Sequence, residues 1–271
     1  MKIFKNKLIL QKGISKDNCL SFVPTMGGLH KGHLSLIKKA KKYKCKICVS
    51  IFVNPTQFNK KNDFKNYPRN LKSDIKELKK LKINYLYLPT YADIYSFKSK
   101  NNIHMDKLSK ILCGKFRKGH FEGVLNVINR FLEIINPKYI FLGIKDFQQL
   151  ILIDSHIKKN KIKTKVVKCK TVREANGVAC STRNFNLKRN ELRIASNIYK
   201  YLFNINKKIK KDFKLFKKNS IKKDLTSLGA TKIDYVENLN IEKFKKNKEF
   251  KKEFRLFFAY YINNIRLIDN I

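Results

Sequence analysis

Glycine and proline are scarce, ten and five residues in a chain of 271. That excludes a collagen-like or linker-dominated protein. No uninterrupted apolar run approaches the length a membrane-spanning helix needs. The opening MKIFKNKLILQKG is basic but has neither a long apolar stretch nor a small-residue cleavage site, so it reads as the start of the mature protein. Six cysteines stand at 19, 45, 48, 113, 169 and 180. Cys45-Lys-Ile-Cys48 has CxxC spacing, yet no second CxxC or His pair completes a zinc set. It runs into ICVSIFV, so both residues read as small core side chains at the start of a strand, with reduced thiols the expectation for a cytoplasmic chain. Arginine is scarce too: only nine of the 62 basic residues are Arg, although base and phosphate recognition favours the bidentate guanidinium.

What is abundant is lysine, isoleucine and asparagine. The net charge is +42. Residues 1–169 carry 37 basic and 10 acidic side chains, and residues 170–271 carry 25 and 10. With a similar excess in both parts there is no basic tail, and the charge reads as a solvated Lys-rich surface with no specific nucleic-acid face. A salt-sensitive affinity for polyanions follows in either case. Hydrophobic residues make up 43%, with 20 Phe and 12 Tyr, enough to bury a sizeable core in one large or two ordinary domains.

Short apolar runs alternate with helical periodicity. Leu20 to Pro24 reads as a buried strand, followed by a loop through His30 and a helix marked by Leu34, Ile37 and Ala40. Strands are expected at 46–53, 85–88 and 139–142, and helices at 71–81, 124–135 and 148–156. This strand–helix repetition predicts a Rossmann-like, doubly wound parallel sheet over residues 1–169. From residue 170 the texture changes. A tight turn at Asn176-Gly177, helices around 188–211 and 214–228, and strands at 232–236 and 256–262 predict a smaller C-terminal α+β domain, 170–271.

The most informative segment is Pro24-Thr-Met-Gly-Gly-Leu-His-Lys-Gly-His33. It joins a strand to a helix at the edge of the sheet where ligands bind in open α/β folds. Its glycines let backbone approach a phosphate, and a helix N-terminus offers amide N–H groups. Two histidines in H-x-G-H spacing can donate to phosphate oxygens as charge builds during displacement at phosphorus.

His30-Lys-Gly-His33 resembles the signature of the nucleotidyltransferase superfamily. PTMGGLHKGH, VSIFVNPTQF at 49–58, NYPRN at 66–70, GHFEGV at 119–124, FLGIKDFQQL at 141–150 and REANGVACSTRN at 173–184 occur in that order. Together they resemble the pantothenate synthetase (pantoate–β-alanine ligase) family over nearly the whole chain, ending in Arg266-Leu-Ile-Asp-Asn270. The resemblance implies an ATP-dependent enzyme that joins (R)-pantoate to β-alanine through a pantoyl adenylate. It also implies Mg²⁺ as the partner of the triphosphate and a homodimer formed through the N-terminal domain.

Carried over residue by residue, the resemblance makes Met26, Gly27, Gly28, Leu29, His30, Lys31, Gly32 and His33 the ATP loop, with His33 at the proton-donor position. Gly143, Ile144, Lys145 and Asp146 form a second ATP contact, Lys145 toward phosphate and pantoate oxygens and Asp146 toward ribose. Val172 matches a backbone contact to adenine. Cys180, Ser181, Thr182 and Arg183 match a second phosphate loop, where two hydroxyls and a guanidinium suit the β- and γ-phosphates. Gln57 and Gln149 match the pantoate glutamines, Gln57 also lying near β-alanine; an amide can both donate and accept, which suits a hydroxy acid. His30, His33, Lys145 and Arg183 are the catalytic candidates, and Asn54, Arg117 and His120 are weaker site candidates. The chain departs from the family's frequent residues at Gly28, Lys118, Asn176, Cys180 and Thr182. The competing readings are another nucleotidyltransferase and a basic nucleic-acid-binding protein.

Overall fold

The computed structural model describes residues 1–59, 61–240, 245–246 and 254–271. Among these, the N-terminal sheet consists of β1 (Lys2–Phe4), β2 (Leu20–Thr25), β3 (Lys46–Ile51), β4 (Tyr85–Tyr87), β5 (Tyr139–Gly143) and β6 (Lys165–Cys169). Their spatial order is β1-β4-β3-β2-β5-β6, with every pairing parallel. β2 and β3 are buried along almost their whole length, because a parallel sheet is covered on both faces. On one face Leu36, Ile37 and Ala40 of the helix Lys31–Lys41 and Leu78 of the helix Leu71–Lys80 pack against Val23, Val49 and Leu86. On the other, Phe131 and Leu132 of the helix His120–Ile135 and Ile153 of the helix Phe147–Lys159 meet Phe22, Tyr87 and Ile140. Phe22 and Val23 therefore point to opposite faces, as the two-residue period of a strand requires.

The chain adds β3 and β4 on one side of β2 and then β5 and β6 on the other. The order thus reverses between β2 and β5, which is where an open α/β sheet forms its ligand crevice. The registered pairs of β2 with β5 are Ser21↔Tyr139 and Phe22↔Ile140. Pro24, two residues on, has no N–H to extend that ladder.

The second sheet is antiparallel, with β7 (Lys232–Asn240), β8 (Lys245–Lys246), β9 (Arg255–Ile262) and β10 (Ile265–Asn270) in the order β10-β9-β7-β8. Ala195, Ile198 and Leu202 of the helix Arg189–Ile209 and Leu225 of the helix Lys218–Ser227 cover Val236, Leu256 and Phe258.

Several boundaries differ from the sequence pattern. The helix expected from residue 124 begins at His120, because Gly119 enters it with φ +77° and turns the chain before the apolar repeat starts. The helix expected from 214 begins at Lys218, after a short 3₁₀ turn at Phe213–Leu215. The short outer strands β1 and β6 and the terminal β10 have no period-two signal of their own; lysines interrupt β6, as on many edge strands. Cys19 and Cys45 do not sit in the core as separate side chains but face each other as a pair. They stand at the amino ends of β2 and β3, and only the adjacency of those strands brings their Cα atoms to 5.0 Å. Cys48 is buried in β3, as its apolar setting suggested. No helix among the described residues is long and apolar enough to cross a membrane.

Candidate active site

A cleft of about 270 Å³ opens at the carboxyl ends of β2 and β5, with β10 of the second sheet forming part of its wall. Met26 and His30 reach it from the loop after β2, Gly32 and His33 from the first turn of the helix that follows, Gly143 from the end of β5, Lys145 and Asp146 from the turn after it, and Gln149 from the helix Phe147–Lys159. Val172, Cys180, Ser181, Thr182 and Arg183 line its other side, and Gln57, Asn54, Arg117 and His120 its far end. Gly27, Gly28, Leu29, Lys31 and Ile144 do not line it.

The two histidine rings are tilted against each other with centroids 4.0 Å apart. His30 caps the helix Lys31–Lys41: its Nδ1 accepts from the Gly32 amide at 3.1 Å. In the neutral ring the proton therefore sits on Nε2, which is left as a donor. Burial, and then the Lys145 ammonium, lower the His30 pKa to about 4 against the opposing pull of Asp146 and Glu174. Burial, then His30 and Lys145, hold His33 well below the usual imidazole value. His33 Nδ1 is buried and has no hydrogen-bond partner among the described residues. Both rings are neutral at neutral pH, so what they can offer a ligand is a hydrogen bond and not an imidazolium charge.

The expectation of free amides along the glycine loop is corrected. The Gly28 and Leu29 N–H groups both donate to Asp74, at 2.9 and 2.8 Å, and the Gly32 N–H is taken by His30. Asp74 is only 4% exposed and its two oxygens fix the loop from the helix Leu71–Lys80. The loop needs its glycines: Gly27 and Gly28 have φ +78° and +59°, and a Cβ on Gly28 would lie 2.4 Å from the Thr182 side chain.

The second loop also differs in detail. The Thr182 hydroxyl, expected toward phosphate, donates to the Gly28 carbonyl at 3.1 Å and ties the two loops together. Cys180 donates to Glu174, and the Ser181 hydroxyl accepts from the Arg183 amide at 3.3 Å. The Arg183 guanidinium faces the cleft while pairing with Asp63 at 2.7 and 3.1 Å.

At the far end, His120 Nδ1–H donates to the Gln57 carbonyl at 2.7 Å, which leaves its Nε2 to accept from Arg117 at 2.9 Å. Burial, and next the Arg117 charge, keep His120 neutral. Burial, and then Arg183, lower Arg117 to about 10. Gln57 Nε2 donates to the Met26 sulfur. Gly123 lets the helix His120–Ile135 lie against this turn: a Cβ there would meet the Thr56 carbonyl oxygen at 2.4 Å. Tyr67, Asp63, Asp74, Asp269 and Asn270 are site-forming residues to which the sequence reasoning gave no role. Tyr67 and Asn270 lie in NYPRN and RLIDN, motifs whose order in the chain marked the segments without revealing what their side chains do.

No group of three His, Cys, Asp or Glu side chains among the described residues could hold a metal ion. Asp74 spends both oxygens on amides, and Asp146 is the partly exposed partner of Lys145 at 3.7 Å.

The family model for pantoate-beta-alanine ligase matches residues 2–271. Pantothenate synthetase of Flavobacterium psychrophilum is 40% identical over 275 residues, covering 98% of this chain and 95% of that protein. The protein of the same name from Francisella philomiragia is 39% identical, covering 97% and 92%. Among solved structures, pantoate-beta-alanine ligase from Francisella tularensis, complexed with beta-gamma ATP and beta-alanine, superposes with a TM-score of 0.86 at 37% identity. That match covers 100% of this chain and 97% of the other. Pantothenate synthetase from Thermus thermophilus superposes with a TM-score of 0.92 at 27% identity, covering 100% and 99%.

Proposed function

The chain belongs to the pantoate–β-alanine ligase family, and from that premise we propose how its cleft carries out the ATP-dependent ligation of pantoate to β-alanine. A pantoate carboxylate oxygen attacks the α-phosphorus of ATP and pyrophosphate leaves. The β-alanine amine then attacks the acyl carbon, losing a proton, and AMP leaves. A carboxylate is a poor electrophile until AMP becomes its leaving group, and the activated bond forms between substrates, so no protein nucleophile is needed. Positioning and charge stabilisation supply the acceleration.

The observation that carries the assignment of roles is the close, tilted and neutral His30–His33 pair under the charge of Lys145. Met26, His30, Gly32, His33, Gly143, Lys145, Asp146, Val172 and Cys180 to Arg183 line the ATP site, and Gly27, Gly28, Leu29, Lys31 and Ile144 belong to it as the backbone that carries them. His30 and His33 donate to the α-phosphate and the bridging oxygen. Lys145 neutralises charge between phosphate and pantoate, and Asp146 meets ribose hydroxyls. Gly28 and Leu29 serve as framework, since Asp74 already takes their amides. Arg183 exchanges Asp63 for the β- and γ-phosphates. Gln57 and Gln149 bind pantoate, and Gln57, fixed through His120 and Arg117, borders β-alanine.

Mg²⁺ enters as the magnesium complex of ATP, held by triphosphate oxygens. Residues 170–271 form the smaller domain that closes over ATP. The enzyme works in the cytoplasm as a homodimer with no specific nucleic-acid partner. The test is AMP formation from ATP: it requires both pantoate and β-alanine, and AMP release with either one omitted at the full rate would refute the assignment.

A further inference from the structure

The last strand holds the motif Arg266-Leu-Ile-Asp-Asn270, which the ligation chemistry leaves without a role. Arg266 pairs with Asp234 at 2.8 Å inside the second sheet. Asp269 accepts from Arg173 at 2.5 and 3.3 Å, at the start of the segment that leads into the second phosphate loop. Asn270 reaches the other way. Its Nδ2 lies 2.9 Å from the Ile144 carbonyl oxygen and 2.9 Å from the Lys145 carbonyl oxygen. An amide NH₂ has two hydrogens, and both are spent here. Its Oδ1 faces an Arg255 guanidinium N–H at 3.4 Å. Two acceptors on one side and a donor on the other fix which way the amide points.

Ile144–Asp146 is a single 3₁₀ turn between β5 and the helix Phe147–Lys159. A turn this short has no internal ladder to hold it, and it carries the ammonium that shares the cleft with both histidines and whose charge acts on them. Asn270 is 4% exposed and lies 125 residues further along the chain. We propose that Asn270 is a positioning residue for Lys145: its side-chain amide, from the last strand of the second sheet, sets the turn that aims the ammonium at the reacting oxygens. The second sheet thereby supplies one wall of the catalytic constellation. Displacement of a reacting group by about 1 Å costs on the order of 10²-fold in rate, so two hydrogen bonds far from the substrates have kinetic weight.

The proposal rests on the reading of Lys145 as a phosphate- and pantoate-facing group, and the experiment separates the two. Asn270→Asp keeps the shape but presents oxygen to two carbonyl oxygens, and Asn270→Leu removes the donors without adding charge. Each is made in wild-type and in Lys145→Ala backgrounds. Single-turnover pantoyl-adenylate formation is measured with enzyme in excess, alongside steady-state constants and melting temperature. The expected result is a loss of at least about tenfold in the wild-type background and less than about threefold in the Lys145→Ala background. The KM for ATP rises severalfold while that for β-alanine stays within about twofold. Equal losses in both backgrounds, or a lower kcat with every KM unchanged and a lower melting temperature, would overturn the positioning role alone. A Lys145→Ala enzyme with the wild-type rate would remove the Lys145 reading and this proposal with it.

Discussion

The histidines after β2 are kept neutral by burial and by neighbouring charge, and His30 alone also has its tautomer fixed by a hydrogen bond. The Gly32 amide fixes the His30 tautomer, and burial with Lys145 keeps both rings uncharged. Replacing His33 by Ala should lower pantoyl-adenylate formation by at least about 10²-fold, the scale of losing one preorganised donor to developing charge. Near-normal single-turnover formation would remove the assignment. The depressed pKa values also set a stability trend. As pH falls below the unfolded value of about 6.5, an unfolded histidine takes up a proton that the folded one refuses. The unfolded state then binds more protons, and stability declines toward the folded pKa, about 4 for His30. Denaturant melts at pH 7.5 and 5.5 should show the lower midpoint at 5.5. An NMR titration should place the His30 midpoint near 4, and a midpoint above 6 would contradict the burial argument.

Between elements, the decisive contacts are backbone against backbone. The helix His120–Ile135 touches the Asn54–Gln57 turn at Gly123, where the Asn54 side chain also donates to the Gly123 carbonyl at 3.2 Å. Gly123→Ala puts a methyl group 2.4 Å from the Thr56 oxygen, and neither backbone segment is a flexible side-chain end that can swing aside. The expected cost is about 1–3 kcal/mol of stability, as for overpacking elsewhere, and a raised KM for pantoate because Gln57 rides on that turn. Thermal melts and pantoate titrations check both parts. A variant with unchanged melting temperature and pantoate KM would show that this contact gives way without consequence.

At the scale of the whole molecule, Arg183, which lines the cleft, pairs with Asp63 of the short helix Lys61–Lys65, 120 residues away in the chain. ATP would take over the guanidinium, and closure would shield a mixed anhydride from water. Arg183→Ala should strongly reduce adenylate formation and leave the reaction of supplied pantoyl adenylate with β-alanine nearly intact, since pyrophosphate has then left. Equal losses in both half-reactions would mean that Arg183 holds the loops together generally. The net charge of +42 is likewise a property of the whole chain. Binding to mixed-sequence DNA or RNA should be non-specific and collapse as salt is raised, while ligation survives moderate ionic strength. Sequence-selective binding at physiological salt, near the nanomolar range of specific complexes, would contradict a solvated surface.

The alternation of buried runs and helical periods in residues 20–159 was enough to read a parallel sheet, because burial on both faces imposes a local pattern on each strand. The position of the histidine segment at the cleft was equally legible, since two histidines and three glycines within Met26 to His33 have few structural uses. The destination of its amides was not. Asp74 lies 46 residues from Gly28, Asp63 lies 120 from Arg183, and Asn270 lies 125 from Lys145. No periodicity records a contact made across such separations. The same holds for Cys19 and Cys45, which pair only because β2 and β3 are neighbours. Local sequence determined which segments become strands, helices and the turn between β2 and its helix, because propensity and burial act over a few residues. The tertiary structure alone decided which buried donors and acceptors satisfy one another, since that depends on the strand order that brings distant carbonyls, amides and carboxylates within hydrogen-bond reach.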